Sequence, residues 1–320
     1  MKVVITGGAG FLGQRLATAL LRDNMLPFSE LILADIQQPS SPVEDPRVRC
    51  LALDLTQPGA ANQLIDRDCG VLFHLAAIVS SHAESDFDLG MQVNFDATRQ
   101  LLEATRHNAP AMKFIFTSSL AVFGGQLPPV VNDDCAVLPQ SSYGAQKALC
   151  ELLINDYARK GFVDGRVLRL PTISVRPGKP NKAASSFASG IIREPLHGEP
   201  SVCPVSAGLA LWLSSPGTVV ANFIHAATLP AAQFGSSRTV NLPGISVTVQ
   251  QMLFALGAVA GEQVRQRVSF VPDETINRIV ASWPGNFDVR RALALGFSVD
   301  EDFQQIIRDF MRDDTLQAGS

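Results

Sequence analysis

The chain has 320 residues, 46% of them hydrophobic and 18% charged, with a net charge of −4. That hydrophobicity excludes a disordered chain, and the length supports one large domain or two unequal ones. With no Lys/Arg block and no apolar run of about 18 residues, nucleic acid, an anionic membrane surface and a spanning helix are poor expectations. The first predicted element is a strand over Lys2–Thr6, whose apolar run stops at once in a glycine turn and so does not read as an export signal. A helix over 11–21 follows, with Leu12, Leu16, Ala19 and Leu20 at helical spacing. Strands are predicted over 31–34, 48–53 and 71–75, with a polar helix over 57–66. A long helix over 87–106 leads into a fifth strand over 114–117. A helix over 143–160 carries Leu149, Leu152, Leu153 and Tyr157 on one stripe, and a sixth strand covers 167–170.

This alternation, with strands apolar on both faces, predicts an α/β fold: a doubly wound parallel sheet of the Rossmann type over residues 1–170. After Pro171 the texture changes to irregular, proline-rich chain with one helix over 185–193. Further helices are expected at Pro216–Thr228, at Val249–Ala260 with Thr248 as N-cap, and over 301–312, with short strands near 209–213, 239–242 and 268–271. Residues 171–320 therefore read as a smaller α+β region, mostly substrate-binding, with some segments returning to the first sheet. The five cysteines form no CxxC pair and are odd in number. They read as reduced thiols of a cytoplasmic protein, with no metal site expected.

Residues 6–13, Thr-Gly-Gly-Ala-Gly-Phe-Leu-Gly, lie between the first strand and the first helix. Glycines there permit a tight turn and let backbone approach a pyrophosphate, while the helix N-terminus offers free N–H groups. The strand before and the helix after supply the context the motif requires. Gly7, Gly10, Phe11, Leu12 and Gly13 are the expected dinucleotide contacts. No Gly-Lys-Ser/Thr follows, so this is not a P-loop. Asp35 ends the second strand, 22 positions after Gly13, and residues 36–38 are Ile-Gln-Gln. A carboxylate there accepts from ribose hydroxyls and repels a 2′-phosphate, which favours NAD over NADP.

Tyr143 and Lys147 share one helical face at i, i+4. A free Tyr titrates near 10, and a neighbouring ammonium with a cationic nicotinamide favours the phenolate; a pKa of about 7 would take roughly 4 kcal/mol. Tyr143 could then take a hydroxyl proton while hydride leaves the same carbon. Thr117-Ser118-Ser119 stands at the end of the fifth strand, where a serine hydroxyl can hold the substrate oxygen.

Together with residues 6–13, the pairs Asp54-Leu55 and Val93-Asn94, the run His74-Leu75-Ala76-Ala77, residues 117–119 with Val122-Phe123-Gly124, and Tyr143/Lys147 resemble the extended short-chain dehydrogenases/reductases. The resemblance covers essentially the whole chain. It implies Tyr143 as acid/base, Lys147 as the residue that binds the nicotinamide ribose and tunes Tyr143, and Ser119 as the catalytic serine. Ser119 is preferred to Ser118 because the family serine stands five positions before the glycine that is Gly124 here. Asp54 and Leu55 would flank the adenine, Ala76 would line the cofactor channel, Asn94 would touch the cofactor or steady its helix, and Ile173 is expected among the cofactor contacts. Phe123 and Ala97 depart from the frequent Tyr and Gly of the pattern, which touches packing only. The resemblance also implies a homodimer through the two long helices.

Ser118-Ser119 replaces the Asp-Glu pair of sugar-nucleotide dehydratases, so dehydration is disfavoured. The segment 168–196 resembles the NAD-dependent subgroup that oxidises four-carbon sugar acids such as D-erythronate at C2. Arg176, Lys179, Lys182 and Arg193 concentrate positive charge there, and an Arg can clamp a carboxylate. Arg176, Arg193, Ser80, Ser119 and Tyr143 are the expected substrate contacts, with 176–200 as lid and Ser81, Ser185, Ser186 and Ser189 as further hydroxyl partners. Trp212 and Trp283 read as core or interface. The expected function is oxidation of a small 2-hydroxy sugar acid; a nucleotide-sugar epimerase is the alternative, and a non-catalytic nucleotide-binding protein the third reading.

Overall fold

The computed structural model describes residues 1–23, 25–178 and 183–318, the last five of these by backbone alone. The first half runs β1 (Lys2–Thr6), α1 (Phe11–Asp23), β2 (Glu30–Asp35), β3 (Val48–Ala52), α2 (Ala60–Leu64), β4 (Cys69–His74), α3 (Ser80–Ser85), α4 (Phe87–Gly90), α5 (Ala97–Asn108), β5 (Lys113–Ser119), α6 (Ser142–Arg159) and β6 (Asp164–Leu170). The second runs β7 (Thr172–Ile173), α7 (Phe187–Leu196), β8 (Ser201–Cys203), β9 (Ala210–Ser214), α8 (Pro216–Thr228), β10 (Thr239–Asn241), β11 (Ile245–Thr248), α9 (Val249–Ala260), α10 (Glu262–Arg265), β12 (Val268–Phe270), α11 (Glu274–Ala281), α12 (Arg290–Ala294) and α13 (Phe303–Ala318).

Seven strands form one sheet in the order β10-β6-β5-β4-β1-β2-β3, and every pairing in it is parallel. Alternate residues feed the two faces, as period-2 geometry demands. Val3, Ile5, Leu31, Leu33, Val71 and Phe73 pack with α1 and α8 on one side. Val4, Ile32, Leu72, Phe114 and Phe116 pack with α2, α5 and α6 on the other. This double burial is why the strands read as unbroken apolar runs. The chain reverses direction across the sheet between β1 and β4, and the crevice beyond their carboxyl ends is where such a fold receives a ligand. A second core forms around α7, β9, α9 and α13, carrying the small sheet β11-β9-β7. A third, with Trp212 stacked at 5.2 Å on Phe287, joins the two halves.

Four differences from the sequence reading have physical causes. The helix expected over 57–66 shrinks to α2, because Gly59 sits at φ +80° and starts the helix late. The long helix over 87–106 is interrupted by a π turn, Met91–Asp96, between α4 and α5. There the Asn94 carbonyl accepts from Thr98 Oγ1 (2.7 Å) and the Cys150 thiol (3.2 Å), side-chain donors that compete with the helical ladder. The leucine stripe of α6 is not its buried face: Leu149 and Leu152 are 44% and 65% exposed. The face turned inward carries Gln146, Lys147, Cys150 and Glu151, and only Leu153 and Tyr157 of the stripe touch the core. Finally α3, β7, β8, β11, α10, α11 and α12 have no counterpart in the sequence reading; all are eight residues or shorter.

Because α8 completes the core beneath β1 and β5, truncating it should be felt by the whole sheet. Phe223→Ala is expected to cost about 3–5 kcal/mol, read as a lower urea midpoint with an unchanged slope.

Candidate active site

A cleft of about 570 Å³ opens at the carboxyl ends of the central strands. Its floor is the turn after β1. Gly7 holds φ +73°, and a Cβ there would sit 2.9 Å from the Ala76 nitrogen. A Cβ on Gly13 would lie 2.2 Å from the Gly7 carbonyl oxygen, and one on Gly8 2.9 Å from Leu33. These glycines let the turn, the sheet and α1 close on one another, while exposed Gly10 leaves the N-terminus of α1 open to the cleft. Phe11, Leu12 and Gly13 line it.

Asp35 lies at one end, its carboxylate accepting from the Ala9 N–H (3.1 Å) and the Gln37 N–H (3.3 Å). Ile36, Leu53 and Leu55 make an apolar slot beside it. Asp54 lines the slot but turns its carboxylate into its own loop, accepting from Thr56 N–H (2.9 Å), Thr56 Oγ1 (2.7 Å) and Gln57 Nε2 (3.0 Å). Those bonds, led by the one from the Thr56 side chain, hold its carboxyl below the usual range. Ala76 lines the middle of the cleft. Asn94 does not: it is buried behind the wall, bonding the N–H (2.8 Å) and carbonyl (3.0 Å) of Ile78 and the Gln146 amide oxygen (2.7 Å). These bonds tie its helix to the loop after β4 and to α6.

At the other end Ser119, Tyr143 and Lys147 converge. Ser141 caps α6 by accepting from the Gly144 N–H (3.2 Å). A Cβ at Gly144 would lie 2.1 Å from the Ala121 carbonyl oxygen, so this glycine lets the first turn of α6 sit directly on the end of β5. Ser119 accepts from the Ala121 N–H (3.1 Å), and its side chain lies near enough to the Tyr143 phenol to favour the phenolate. Ser118 donates instead to Glu151, which Arg169 holds through a buried ion pair (2.7 Å). Lys147 is buried, donates to the Thr117 carbonyl (2.8 Å) and lies 4.5 Å over the Phe116 ring and 5.7 Å over that of Tyr143.

The sequence reading expected a lowered phenol. In the protein alone, burial pushes Tyr143 up to about 12, opposed by the Ser119 side chain and by the charge of Arg176. Burial pulls the Lys147 amine down to about 8, opposed by Cys150 and Glu151. Burial therefore outweighs the neighbouring charges, that of Arg176 among them.

Arg176, Ile173, Ser80 and Ser185 line the cleft. Ser80 Oγ accepts from the Ala184 N–H (3.0 Å). Arg193 does not line it, contrary to expectation: it is buried on α7, where it donates to the Arg176 carbonyl (2.7 Å) and pairs with Glu194 (2.6 Å). Ser189 lies behind the wall as well, and Ser81 and Ser186 are absent from the lining, while Lys179 and Lys182 fall outside the described residues. Trp283, read as core or interface, lines the cleft from the loop after α11. Its Trp-Pro-Gly context marked a loop, the one signal that could have suggested exposure to a site.

The match to a family model decides what this cleft is. The model for the NAD dependent epimerase/dehydratase family matches residues 3–228, from β1 through α8. The chain belongs to that family. NAD is its cofactor, and the open helix N-terminus, glycine contacts and Asp35 carboxylate fit a dinucleotide. Among curated relatives, a D-erythronate dehydrogenase of Haemophilus influenzae is 60% identical over 98% of this chain and 100% of its own. One of Cupriavidus necator is 53% identical over 98% of each. A crystal structure described as a nucleoside-diphosphate-sugar epimerase from Agrobacterium tumefaciens superposes with a TM-score of 0.91 at 42% identity, over 98% of this chain and 94% of that one. Among the described residues, no cluster of three or more His, Cys, Asp or Glu side chains could hold a metal, and no helix is long and apolar enough to cross a membrane.

A methyl group on Gly13 would meet backbone that cannot retreat. Gly13→Ala is expected to weaken NAD binding at least about tenfold by calorimetric titration, a loss of about 1.4 kcal/mol or more.

Proposed function

We propose that the protein oxidises a small 2-hydroxy sugar acid at C2, D-erythronate to 2-oxo-tetronate, with Tyr143 as general base. The observation that carries this reading is Arg176. Its Nη2 is buried without a hydrogen-bond partner among the described residues, and its charge acts on the Tyr143 phenol within the same cleft. A cation held next to a hydroxyl-binding Tyr/Ser pair suits a carboxylate adjacent to a carbinol carbon. The names of the two dehydrogenase relatives support the choice of acid.

In this reading Ser119 orients the C2 hydroxyl and Tyr143 takes its proton. Lys147, fixed by the Thr117 carbonyl, holds the nicotinamide ribose. Bound NAD would supply the hydride acceptor and a ring charge that favours the phenolate. Gly7, Gly10, Phe11, Leu12, Gly13, Asp35, Asp54, Leu55, Ala76 and Ile173 form the cofactor contacts, with Ser80 and Arg176 on the substrate side. Residues 1–170 with α8 and β10 make the NAD-binding unit, and most of the remaining chain makes the substrate side. Phe87, Leu149 and Leu152, exposed on α4 and α6, support a homodimer through these helices. Sedimentation of the purified protein tests that. Five unpaired cysteines accord with a reducing cytoplasm.

The alternative is a nucleotide-sugar epimerase, favoured by the Agrobacterium structure's description. NADH released from NAD and D-erythronate, with little NADPH from NADP, supports the dehydrogenase. An epimer formed from a nucleotide sugar without net NADH transfers the assignment to the alternative.

Two variants test the base. Tyr143→Phe is expected to lower kcat by about 10²–10⁴-fold while NAD still binds. Since only the phenolate can accept the proton, kcat rises with pH. Arg176→Met removes a charge that favours phenolate, so the rising limb should move to higher pH. An unmoved limb would detach Arg176 from the base.

A further inference from the structure

Arg176 is held by its backbone. Its amide N–H donates to Ser189 Oγ (3.0 Å), and its carbonyl accepts from Arg193 Nη1 (2.7 Å). Ser189 and Arg193 lie one turn apart on the buried face of α7, 1% and 4% exposed. Ser189 Oγ also reaches the Ile173 carbonyl at 3.5 Å, so the same helical turn steadies two residues of the cleft wall. The Arg193 charge is met by Glu194 (2.6 Å) and is not available to a ligand. Arg176 Nη2, by contrast, is buried and has no hydrogen-bond partner among the described residues.

We propose that Arg193 is a positioning residue for carboxylate recognition: with Ser189 it fixes the backbone of Arg176, so that the free Nη2 meets the carboxylate of the substrate. The proposal rests on the function given above and deepens it. Guanidinium bonds to a carboxylate are directional, so fixing the guanidinium fixes the acid. With the carboxylate anchored beside Tyr143 and Ser119, the carbon presented to them is its neighbour, C2, and hydroxyls further along the chain are carried away. An Arg suits this mount because its planar fork serves the Arg176 carbonyl and Glu194 together, whereas a Lys offers a single point of charge. Burial and the nearby Arg193 both disfavour the charge on Arg176, and an arriving anion relieves that.

The test is steady-state oxidation of D-erythronate by the full chain. Removing Arg193 alone would leave the Glu194 carboxylate unpaired, so Arg193→Met is combined with Glu194→Gln. This protein is expected to show a KM for the acid raised about tenfold or more, with the KM for NAD within about twofold and kcat within about threefold. Arg193→Lys, which keeps the charge and N–H donors but not the fork, should recover part of the loss. Adding Arg176→Met to the double variant should cost less than it does in the wild type, because both changes act on one contact. Should the double variant fail to fold, Ser189→Ala removes the other backbone bond and should raise the same KM more mildly. Equal rises in both KM values, or a fully additive penalty with Arg176→Met, overturn the proposal. If the wild type makes no NADH from D-erythronate, the proposed function has failed, and calorimetric titration of oxalate into NADH-saturated protein reads the inference separately. Binding lost in Arg176→Met and weakened in Arg193→Lys supports it; equal binding in all three proteins overturns it.

Discussion

The site depends on one close approach, that of the first turn of α6 to the end of β5. With a Cβ at Gly144 only 2.1 Å from the Ala121 carbonyl oxygen, any other residue would hold the two elements apart. Their contact brings the Tyr143 phenol to Ser119 and lets the Lys147 amine reach the Thr117 carbonyl. The three side chains belong to two elements but behave as one rigid group. None of them is on a loop free to drift, and a displacement of about an ångström at such a group is enough to impair chemistry.

Beneath that group the interior is polar. Ser118, Glu151, Arg169 and Asn241 form a chain of buried contacts, and Arg169 also lies 4.6 Å over the Phe123 ring. Phe123 thus takes part in a cation–π contact and brings no buried hydroxyl that would need a partner. His74 is similarly confined between Thr6 (2.7 Å) and Thr98 (2.9 Å). Thr98 donates to the Asn94 carbonyl, so Nε2 carries the ring proton and Nδ1 accepts from Thr6. Burial pulls this imidazole down to about 3, which keeps it neutral beside Lys147. Neutral His74 adds no charge to the reacting residues, whereas Glu151 acts on Lys147 and opposes the effect of burial.

Much of this was legible in the sequence because it is local. The glycine turn, Asp35 and the Tyr143–Lys147 spacing are local features of the chain, and α8 and α9 run over the residues expected of them, α9 from its Thr248 cap. What stayed hidden depends on contacts distant in sequence. The stripe Leu149–Leu152 looked like a core face because apolar residues at helical spacing usually are; here the inward face is polar, and its burial rests on hydrogen bonds that periodicity does not register. Arg193 carried the right charge in the right segment, but its role as a support for Arg176 follows from the fold of α7 onto β7. Trp283 reaches the cleft only because the chain after α11 crosses back over both halves.

The place of β10 at the edge of the central sheet bears on biosynthesis. It pairs with β6, yet about seventy residues separate the end of one from the start of the other. At about 5–20 residues per second, a growing chain presents the bare edge of β6 for several seconds before its cover is made. The segments synthesised in that interval include α8, which must be in place before the sheet is clad on both sides. An exposed parallel strand edge is a template for unwanted pairing. The nascent protein is therefore most vulnerable to aggregation after its nucleotide-binding motif has emerged and before residue 241 leaves the ribosome.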